Sequence, residues 1–335
     1  MKIAIDMRMS GKSGIGTFLD EIIPFLKNSS HELCFVSPKI EPFSLKEIFC
    51  FPKDELARIN SCDAYFTPYC NIPGGIKIPV YSTIHDVVFL DVPGLAGTIG
   101  TMARKWFYKR AVKKSKAIFT VSEFSKKRII HHLKCKKDIH VVHNGVPSYF
   151  DNVEPSQEKD NYILFIGNIK KHKGLSILLE AFSKVLESKA DLKLLIVGSN
   201  KNLRTSDTTL YDNINSINAS HKDSVSFTGF VENEQLKELI CKAKILVQPS
   251  LYEGFGIPPL QALKCGTNTV ISDIEVFKEI YGKLPVVFFK SEDAYDLSEK
   301  IIESLDKAQP ILQTELYSYE ITAKKILECM LTYCK

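Results

Sequence analysis

Short apolar runs rich in β-branched residues alternate with segments of helical periodicity from one end of the chain to the other. Because the runs are almost continuously apolar, they are typical of parallel strands that helices cover on both faces. The runs are KIAIDM, ELCFVS, DAYFT, IPVYSTI, KAIFTVS and DIHVVHN in the first half, and YILFIG, LKLLIVG, SVSFTG, AKILVQPS, TNTVIS and PVVFF in the second. This alternation predicts an α/β protein with about six strands in each half.

A chain of 335 residues exceeds what one hydrophobic core usually organises, so two domains are expected. The polar segment 151–161 contains a proline and has no periodicity, and we expect it to link residues 1–150 to residues 162–315. Both domains are predicted to be doubly wound, Rossmann-like folds that face each other across a cleft, with ligands at the carboxyl ends of their strands. Residues 316–335 predict a final helix that packs back across the domain junction. We expect the inner side of this helix to hold Ile321, Ile326, Leu327 and Met330.

The basic residues are concentrated in one segment. Residues 101–137 hold thirteen Lys or Arg and one acid, a net charge of +12, which leaves −7 for the rest of a chain whose total is +5. Since Trp106 lies in the same segment with Phe107 and Tyr108, one interpretation is a basic amphipathic surface for anionic lipid head groups, or for a polyanionic or pyrophosphate-linked acceptor. The alternative is an ordinary solvated helix face. Nucleic acid is disfavoured because no nucleic-acid-binding module accompanies the charge.

The N-terminal run and the cysteines indicate a cytoplasmic protein. Asp6 and Arg8 interrupt the first apolar run, which argues against a secretory signal, and no uncharged apolar stretch approaches the ~18 residues of a membrane span. The nine cysteines are scattered without a CxxC pair, so we expect reduced and mostly buried thiols and no zinc site. Peripheral attachment to the inner face of the membrane through the basic segment is compatible with this location.

A glycine-containing loop follows the first predicted strand. Gly14 and Gly16 stand before a helix expected to start near Thr17, where backbone N–H groups can approach an anion. The spacing G-x-x-G-x-G differs from the dinucleotide fingerprint, and the second strand ends without an acid for a ribose, so a hydride-transferring enzyme is disfavoured. An ordinary tight turn is the alternative.

The corresponding loop of the second half is FIGNIKKHKGL, residues 165–175. Three lysines and His172 crowd a glycine turn between a strand and a helix that begins after Lys173 and Gly174. Such a loop can neutralise a diphosphate without a metal. The alternative is a set of solvated lysines.

The stretch LYEGFGIPPLQALKCG, residues 251–266, places an acid, Glu253, at the end of the strand AKILVQPS. Pro258 and Pro259 suit the first turn of a helix, because their missing N–H groups would be unpaired there. Gln261 follows about two helical turns after the acid, so that the two side chains can contact opposite ends of one ligand of sugar-nucleotide size. A capping role for Glu253 is the alternative.

The stretch STIHDVVFLDVPG offers His85 and Asp86 at the end of a strand in the first half. Histidine can exchange a proton or a hydrogen bond with a sugar hydroxyl at neutral pH, although a lone histidine at a strand end is commonly structural.

Taken together, these motifs resemble the family 4 glycosyltransferases, which are retaining enzymes of the GT-B fold. The resemblance covers nearly the whole chain, and within the family it is strongest to the mannosyltransferase-like members that build bacterial surface polysaccharides. The most specific element is E-G-F-G-x-P-x-x-(E/Q)-A. The other matching segments are SGIGTF, STIHDVVFLDVPG, FTVSEFSKK, VVHNGVP, LFIGNIKKHKGLSILLEAF, VSFTGFV and SYEITAKKIL.

The resemblance implies roles for individual residues. Glu253 matches the acid that contacts the donor sugar, Lys173 the lysine that pairs with the phosphates, and His85 a histidine near the reacting centre; these three are the implied catalytic residues. The residues implied in donor binding are Gly14, Gly16, Lys173, Phe230, Val231, Glu253, Gly254, Phe255, Gly256, Ile257 and Gln261. Among them, Phe230 and Val231 match the position of the nucleotide base, and the amides around Phe255 match those that face the diphosphate.

Three positions depart from the family pattern. Gln261 stands where most members have a second Glu that binds the ribose, His172 where an Arg is usual, and Tyr319 where a Trp is typical. Exchanging a charged hydrogen-bond acceptor for a neutral one costs ~1 kcal/mol, which predicts several-fold weaker donor binding.

The implied reaction is transfer of a hexose, with mannose from GDP-mannose as the leading candidate, to a saccharide or polyprenyl-diphosphate-linked saccharide, with retention and without metal or cofactor. A UDP-, dTDP- or other GDP-sugar donor is one alternative. A catalytically silent sugar-nucleotide-binding subunit of a glycosylation complex is the other.

Overall fold

The computed structural model describes residues 1–40, 42, 44–198, 208–310 and 316–333. It divides into two compact units. The first consists of Met1–Gly145 together with Leu316–Lys335, and the second of Val146–Glu315. No helix among the described residues has the length and apolarity needed to cross a membrane.

The division between the units precedes the segment expected to be a linker. Val146 and Phe150 already pack into a core of the second unit, and Phe150 is fully buried there. Asp160, from the end of the expected linker, is the first residue of a strand. Apolar side chains on either side of the polar segment therefore attach it to the second unit, instead of leaving it between the two.

The first unit contains a six-stranded parallel sheet. Its elements are β1 Lys2–Asp6, α1 Ser13–Lys27, β2 Glu32–Val36, α2 Lys46–Phe49, α3 Lys53–Asn60, β3 Ala64–Thr67, β4 Val80–Thr83, α4 Val88–Asp91, α5 Thr98–Lys114, β5 Ala117–Thr120, α6 Glu123–Leu133 and β6 Ile139–Val141. The strand order is β2-β1-β3-β4-β5-β6, so the chain reverses direction across the sheet between β1 and β3.

Alternate residues of these strands point to opposite faces of the sheet. On β3, Phe66 joins one core cluster with Phe18 of α1, whereas Tyr65 joins another with Ile59 of α3 and Ile129 of α6. Because both faces are covered, most strand positions are apolar, as the sequence pattern predicts; Thr67, Ser82, Thr83 and Thr120 are buried polar exceptions.

The second unit repeats the architecture. Its elements are a 3-10 turn Ser148–Phe150, β7 Asp160–Ile166, a 3-10 turn Lys171–Lys173, α7 Leu175–Leu186, β8 Lys193–Val197, α8 Thr208–Ser220, β9 Val225–Gly229, α9 Asn233–Lys242, β10 Ala243–Gln248, α10 Ile257–Lys264, β11 Asn268–Ser272, α11 Glu275–Tyr281, β12 Val287–Phe289 and α12 Ala294–Leu305. The six strands are parallel and run in the order β12-β11-β10-β7-β8-β9. The direction of winding reverses between β7 and β10, which lie side by side. This switch point is where open α/β sheets bind ligands.

The last helix, α13 (Tyr319–Tyr333), belongs to the first unit and packs in the same core as α1. Ile326 and Met330 are buried there, as expected, but Ile321 is 47% exposed. Thr322 and Ala323 occupy the inner side instead, since their small side chains allow close approach. The Thr322 hydroxyl donates a hydrogen bond to the backbone carbonyl of His143, just after the end of β6.

Candidate functional site

Lys173 and Glu253 meet at the switch point of the second sheet. Lys173 ends the 3-10 turn that follows β7, and Glu253 lies in the loop that follows β10. Their side chains form an ion pair with 2.7 Å between Nζ and Oε1, and they are 21% and 11% exposed. The sequence motifs singled out these two residues separately, and the fold brings them into contact.

The Glu253 carboxylate is held from the strand side. The Ser250 hydroxyl donates to Oε1 over 2.8 Å, and the Gln248 amide lies 3.4 Å from the same oxygen. The Gln248 amide also donates to the Ser250 hydroxyl over 3.0 Å. The alternative in which Glu253 is the cap of the next helix is wrong, because the N-cap of α10 is Gly256.

The two loops are fastened together through their backbones. The Leu251 amide donates to the His172 carbonyl over 2.8 Å. Gly174 adopts a left-handed conformation, with φ of +70°, and a Cβ there would lie 1.9 Å from the Pro249 carbonyl oxygen. Only glycine permits this approach, so the separation of the two loops that carry Lys173 and Glu253 is set by the backbone.

Two helices begin beside the ion pair. Gly174 is the N-cap of α7 and Gly256 the N-cap of α10. Pro258 and Pro259 are the second and third residues of α10, as their chemistry predicts. Helix N-termini present unpaired N–H groups and partial positive charge, so this edge of the sheet can bind an anion such as a diphosphate.

Gly256 is fixed by the helix behind it. Its φ is +84°, and a Cβ would lie 2.5 Å from the Phe277 ring. The Tyr281 hydroxyl donates to the Gly256 carbonyl. The neighbouring Phe255 is 2% exposed, so its side chain anchors the loop in the protein, and its contribution to ligand binding is limited to the backbone.

Gln261 is the fifth residue of α10, one turn into the helix. It is 5% exposed, and its amide donates to the Tyr149 hydroxyl over 3.1 Å. Tyr149 belongs to the 3-10 turn before β7, and its ring packs 4.7 Å from that of Phe150. Sequence reasoning missed Tyr149, because nothing in VVHNGVPSYF points to a residue 112 positions away.

Phe230 and Val231 follow β9 at the edge of the second sheet. Phe230 is 83% exposed, whereas Val231 packs partly against the core beside α9. An exposed aromatic ring at the carboxyl end of a strand provides a flat surface on which a planar ligand can stack.

His172 does not substitute for the missing arginine. Burial and the neighbouring positive charge of Lys173 lower its pKa, so it is less readily protonated than an ordinary histidine. Its Nδ1 is buried without a hydrogen-bond partner among the described residues. Lys170 and Lys171 of the same loop are exposed. The further positive charge of this loop is therefore that of these lysines and not that of the imidazole.

His85 lies in the first unit, two residues after β4. Its Nε2 is 2.9 Å from the Pro68 carbonyl oxygen, and the edge of its ring packs against Phe18 of α1, with 5.0 Å between the ring centroids. Burial lowers the pKa of His85 to about 4. The imidazole is therefore neutral near pH 7, with Nε2–H donating to Pro68 and Nδ1 left as an acceptor.

Gly14 and Gly16 lie inside helix α1 and not in a loop before it. The helix begins at Ser13, four residues earlier than the sequence suggests, because Ser13 takes a φ of +59° that turns the chain into the helix directly after Lys12. A Cβ on Gly16 would lie 2.3 Å from the Met9 carbonyl oxygen, so Gly16 serves close packing; around Gly14 there is open space.

A buried charged cluster occupies the switch point of the first sheet and was not expected. Arg8 pairs with Asp6 at 2.6 Å and with Glu47 at 2.8 Å, and all three side chains are at most 1% exposed. The Tyr65 hydroxyl donates to Asp6 over 2.7 Å, and Tyr69 donates to Glu47. Burial raises the pKa of Glu47. The cluster ties the loop after β1 to helix α2.

Two curated relatives illustrate the sequence similarity. The chain is 34% identical over 235 residues to an uncharacterized glycosyltransferase of Methanocaldococcus jannaschii, covering 65% of this chain and 58% of the relative. It is 31% identical over 199 residues to the O-antigen chain mannosyltransferase RfbU of Salmonella typhimurium, covering 59% and 53%. The chain thus spans a little over half the length of these relatives.

A solved structure with the same architecture is sucrose-phosphate synthase from Thermosynechococcus elongatus. It superposes with a TM-score of 0.74 at 14% identity, over 99% of this chain and 98% of that one. This similarity indicates the GT-B fold, in agreement with the two six-stranded parallel sheets.

Two family models match consecutive parts of the chain. Residues 57–148 match the model described as Glycosyltransferase Family 4. Residues 149–320, slightly more than half of the chain, match the model described as Glycosyl transferases group 1. They include every residue discussed at the switch point of the second sheet. The chain therefore belongs to the group 1 glycosyl transferases and is a family 4 glycosyltransferase of the GT-B fold.

Proposed function

We propose that the protein transfers a hexose, mannose from GDP-mannose, to a hydroxyl group of a saccharide or polyprenyl-diphosphate-linked saccharide in polysaccharide biosynthesis. The observation that carries the proposal is the Lys173–Glu253 ion pair at the β7/β10 switch point, flanked by two helix N-termini. The choice of mannose is supported by the 31% identity to a relative whose name is O-antigen chain mannosyltransferase.

Lys173 would stabilise the leaving group. Its ammonium has three N–H donors, one of which is directed to Glu253, so two are left for the donor diphosphate. Negative charge grows on the diphosphate as the bond to the sugar breaks, and a fixed cation with oriented amides stabilises that charge more than it stabilises the ground state. Glu253 would accept hydrogen bonds from the sugar hydroxyl groups, keeping the anomeric carbon beside the phosphate.

Retention would follow from attack on the face that the leaving group departs from. In this step the bond between the anomeric carbon and the phosphate oxygen breaks, and a bond from the acceptor oxygen to the same carbon forms. The acceptor proton passes to the departing phosphate oxygen, so no enzyme base is needed. The ammonium of Lys173 provides the positive charge near the diphosphate, and we therefore propose that transfer needs no metal.

The remaining donor contacts are assigned by the chemistry of the side chains. The exposed ring of Phe230, beside Val231, would stack on the nucleotide base. Gln261, with its NH₂ group committed to Tyr149, would accept a hydrogen bond from the ribose through its carbonyl oxygen. Neutral His85 would accept one from a hydroxyl group of the transferred sugar through Nδ1.

A lipid-linked acceptor would require the enzyme to work at the inner surface of the cytoplasmic membrane. The basic segment 101–137, with its net charge of +12, supports a peripheral location of this kind.

The test is a panel of GDP-, UDP- and dTDP-hexoses incubated with the full chain, with mass-spectrometric detection of hydrolysed or transferred sugar. The proposal expects GDP-mannose to be turned over fastest, and slow hydrolysis of GDP-mannose without an acceptor. Preferential turnover of a UDP- or dTDP-sugar would overturn the donor assignment. Nucleotide binding without hydrolysis or transfer, across donors and acceptors, would instead indicate a silent binding subunit.

A further inference from the structure

Helix α5 carries an exposed apolar stripe, formed by Ile99, Met102 and Trp106. These side chains are 85%, 67% and 46% exposed, respectively. Their spacing of three and four residues puts them on one side of the helix, along ~10 Å of its axis. Scattered exposed apolar residues are common, but three large ones aligned on one helix face are typical of a contact surface.

The helix is attached to its unit by the opposite side. Of its 17 residues, all of them described, Tyr108 and Ala111 are the buried ones. The Arg104 guanidinium lies 3.8 Å from the centroid of the Phe89 ring of α4. At 100° per residue, these inward residues lie 120° to 180° around the helix from Ile99. Ile99, Met102 and Trp106 therefore lie outside the packing of the unit, which on their side of the helix begins further along, where Arg110 donates a hydrogen bond to the Ile72 carbonyl.

Lysines flank the α5 stripe. Lys105, Lys109 and Lys113 are exposed and follow one another at intervals of four residues. Lys105 and Lys109 therefore lie along one border of the stripe, and Lys113 lies on the stripe's own side beyond Trp106. The segment that includes them has a net charge of +12. An apolar stripe bordered by lysines complements a surface that is apolar beneath and negatively charged above.

We propose that this face of α5 docks on an anionic lipid bilayer. The α5 stripe enters the boundary between head groups and acyl chains, and the three lysines contact the lipid phosphates. A saccharide acceptor fits the face less well, because its hydroxyl groups would leave Ile99 and Met102 in contact with water or with polar groups. The inference rests on the peripheral location in the proposed function and not on the transfer reaction.

The chain contains a single tryptophan, and it lies in the α5 stripe, so its fluorescence reports directly on the proposed contact. The full chain is mixed with vesicles of phosphatidylcholine alone, or of phosphatidylcholine with phosphatidylglycerol. We expect the emission of Trp106 to shift to the blue with the anionic vesicles, and to be quenched when the lipids carry bromine on their acyl chains. Salt should weaken the binding. Binding to vesicles without quenching would overturn the proposal, since another surface would then be in contact with the lipid. A shift caused by soluble saccharides but not by vesicles would overturn it in favour of an acceptor site.

Variants separate the apolar and charged parts of the contact. Changing Lys105, Lys109 and Lys113 to Gln should weaken partitioning to anionic vesicles about 100-fold, on the order of fivefold per lysine. The double variant Ile99→Ser with Met102→Ser keeps Trp106 as the reporter. It should weaken partitioning to anionic vesicles on the order of tenfold or more. The matched control is Leu45→Ser with Phe49→Ser, which removes side chains that are 58% and 74% exposed elsewhere on the unit and should leave partitioning unchanged. Equal losses in the control and the α5 variants would contradict the assignment of this face.

Transfer to a water-soluble acceptor is measured on the same variants, and unchanged rates show that they are folded. If the wild-type chain binds vesicles through Trp106 but transfers no sugar, the reaction is wrong and the membrane contact stands. If it transfers sugar but leaves anionic vesicles unbound, the membrane contact is wrong and the reaction stands.

Discussion

The Nζ of Lys173 lies 2.7 Å from Oε1 of Glu253, although 80 positions separate the two residues in the chain. In the proposed reaction, the cation for the leaving group and the acceptor for the sugar hydroxyls are thereby adjacent. Under that proposal neither side chain has to be reorganised when negative charge develops, which is the condition under which such groups accelerate a reaction most.

Replacing Lys173 by Ala should lower kcat by a factor on the order of 10² to 10³, because the developing charge on the diphosphate loses its cation. Glu253→Ala should likewise abolish measurable transfer. Circular dichroism should show an intact fold for both, since the two side chains lie in loops and outside the hydrophobic core of the second unit. Lys170→Ala is the matched control, as it removes an exposed lysine from the same loop. Normal turnover of the Lys173 or Glu253 variant would rule out the mechanism.

Gln261→Glu should tighten donor binding several-fold, because a charged acceptor strengthens a hydrogen bond to the ribose by ~1 kcal/mol. The Tyr149 hydroxyl, which accepts from the Gln261 amide, can donate to a carboxylate instead, so the exchange preserves the local contact. The measurement is KM for the donor at saturating acceptor. An unchanged KM, or a sharp loss of activity, would show that Gln261 does not bind the ribose.

Gly174→Ala should destabilise the protein by more than ~2 kcal/mol, because it forces a side chain into a left-handed conformation and against the Pro249 carbonyl. Gly14→Ala is the opposite case, since a Cβ at Gly14 meets nothing within 4 Å. Because alanine is favoured over glycine inside a helix, this change should raise the free energy of unfolding by as much as ~1 kcal/mol. Urea unfolding of both variants gives the comparison. Equal effects of the two substitutions would contradict the geometry of the loop.

The stability of the first unit should fall as the pH drops from about 6.5 to about 4. Burial lowers the pKa of His85 and of His143 from an ordinary value of 6.5 to about 4, so the unfolded chain binds protons in this range that the folded chain does not. Each histidine can contribute a slope of up to ~1.4 kcal/mol per pH unit. Unfolding of the double variant His85→Gln and His143→Gln should therefore depend less on pH. An identical slope in the variant would mean that these rings protonate freely in the folded protein.

A chelator should leave the rate of sugar transfer unchanged, because the proposed leaving-group stabilisation comes from Lys173 and backbone amides. The measurement is transfer before and after dialysis against EDTA, followed by addition of Mg²⁺ or Mn²⁺. Loss of activity on chelation, with recovery on adding either ion, would show that a metal takes part in the reaction.

The periodicity of the sequence predicts the strands well, and all twelve runs are strands in the two sheets. Strands covered on both faces are mostly apolar, so their signal is local and strong. Features that depend on packing are predicted less accurately. Helix α1 starts earlier than its glycines suggest, because the positive φ of Ser13 has no sequence signature, and Ile321 is exposed because Ala323 takes the inner side.

The motifs likewise identify Lys173 and Glu253 but not the residues that support them. Gln248 and Ser250 hold the carboxylate through side-chain hydrogen bonds, and polar residues at a strand end are too common to be distinguished in one sequence. Tyr149 and the buried cluster of Asp6, Arg8 and Glu47 depend on contacts between distant segments, which only the folded chain reveals.

The contact between Gly174 and the Pro249 carbonyl limits how such an enzyme can change its preference for a donor. The two loops cannot be moved apart or together without losing both the left-handed turn and the hydrogen bond from Leu251 to His172, so the backbones that carry Lys173 and Glu253 are held as one unit. Under the proposed function, a change of donor would then depend on Phe230, Val231 and Gln261 at the periphery of the site. Exchanging those side chains, while leaving the two loops unchanged, is the route that the proposal gives for altering which nucleotide is accepted.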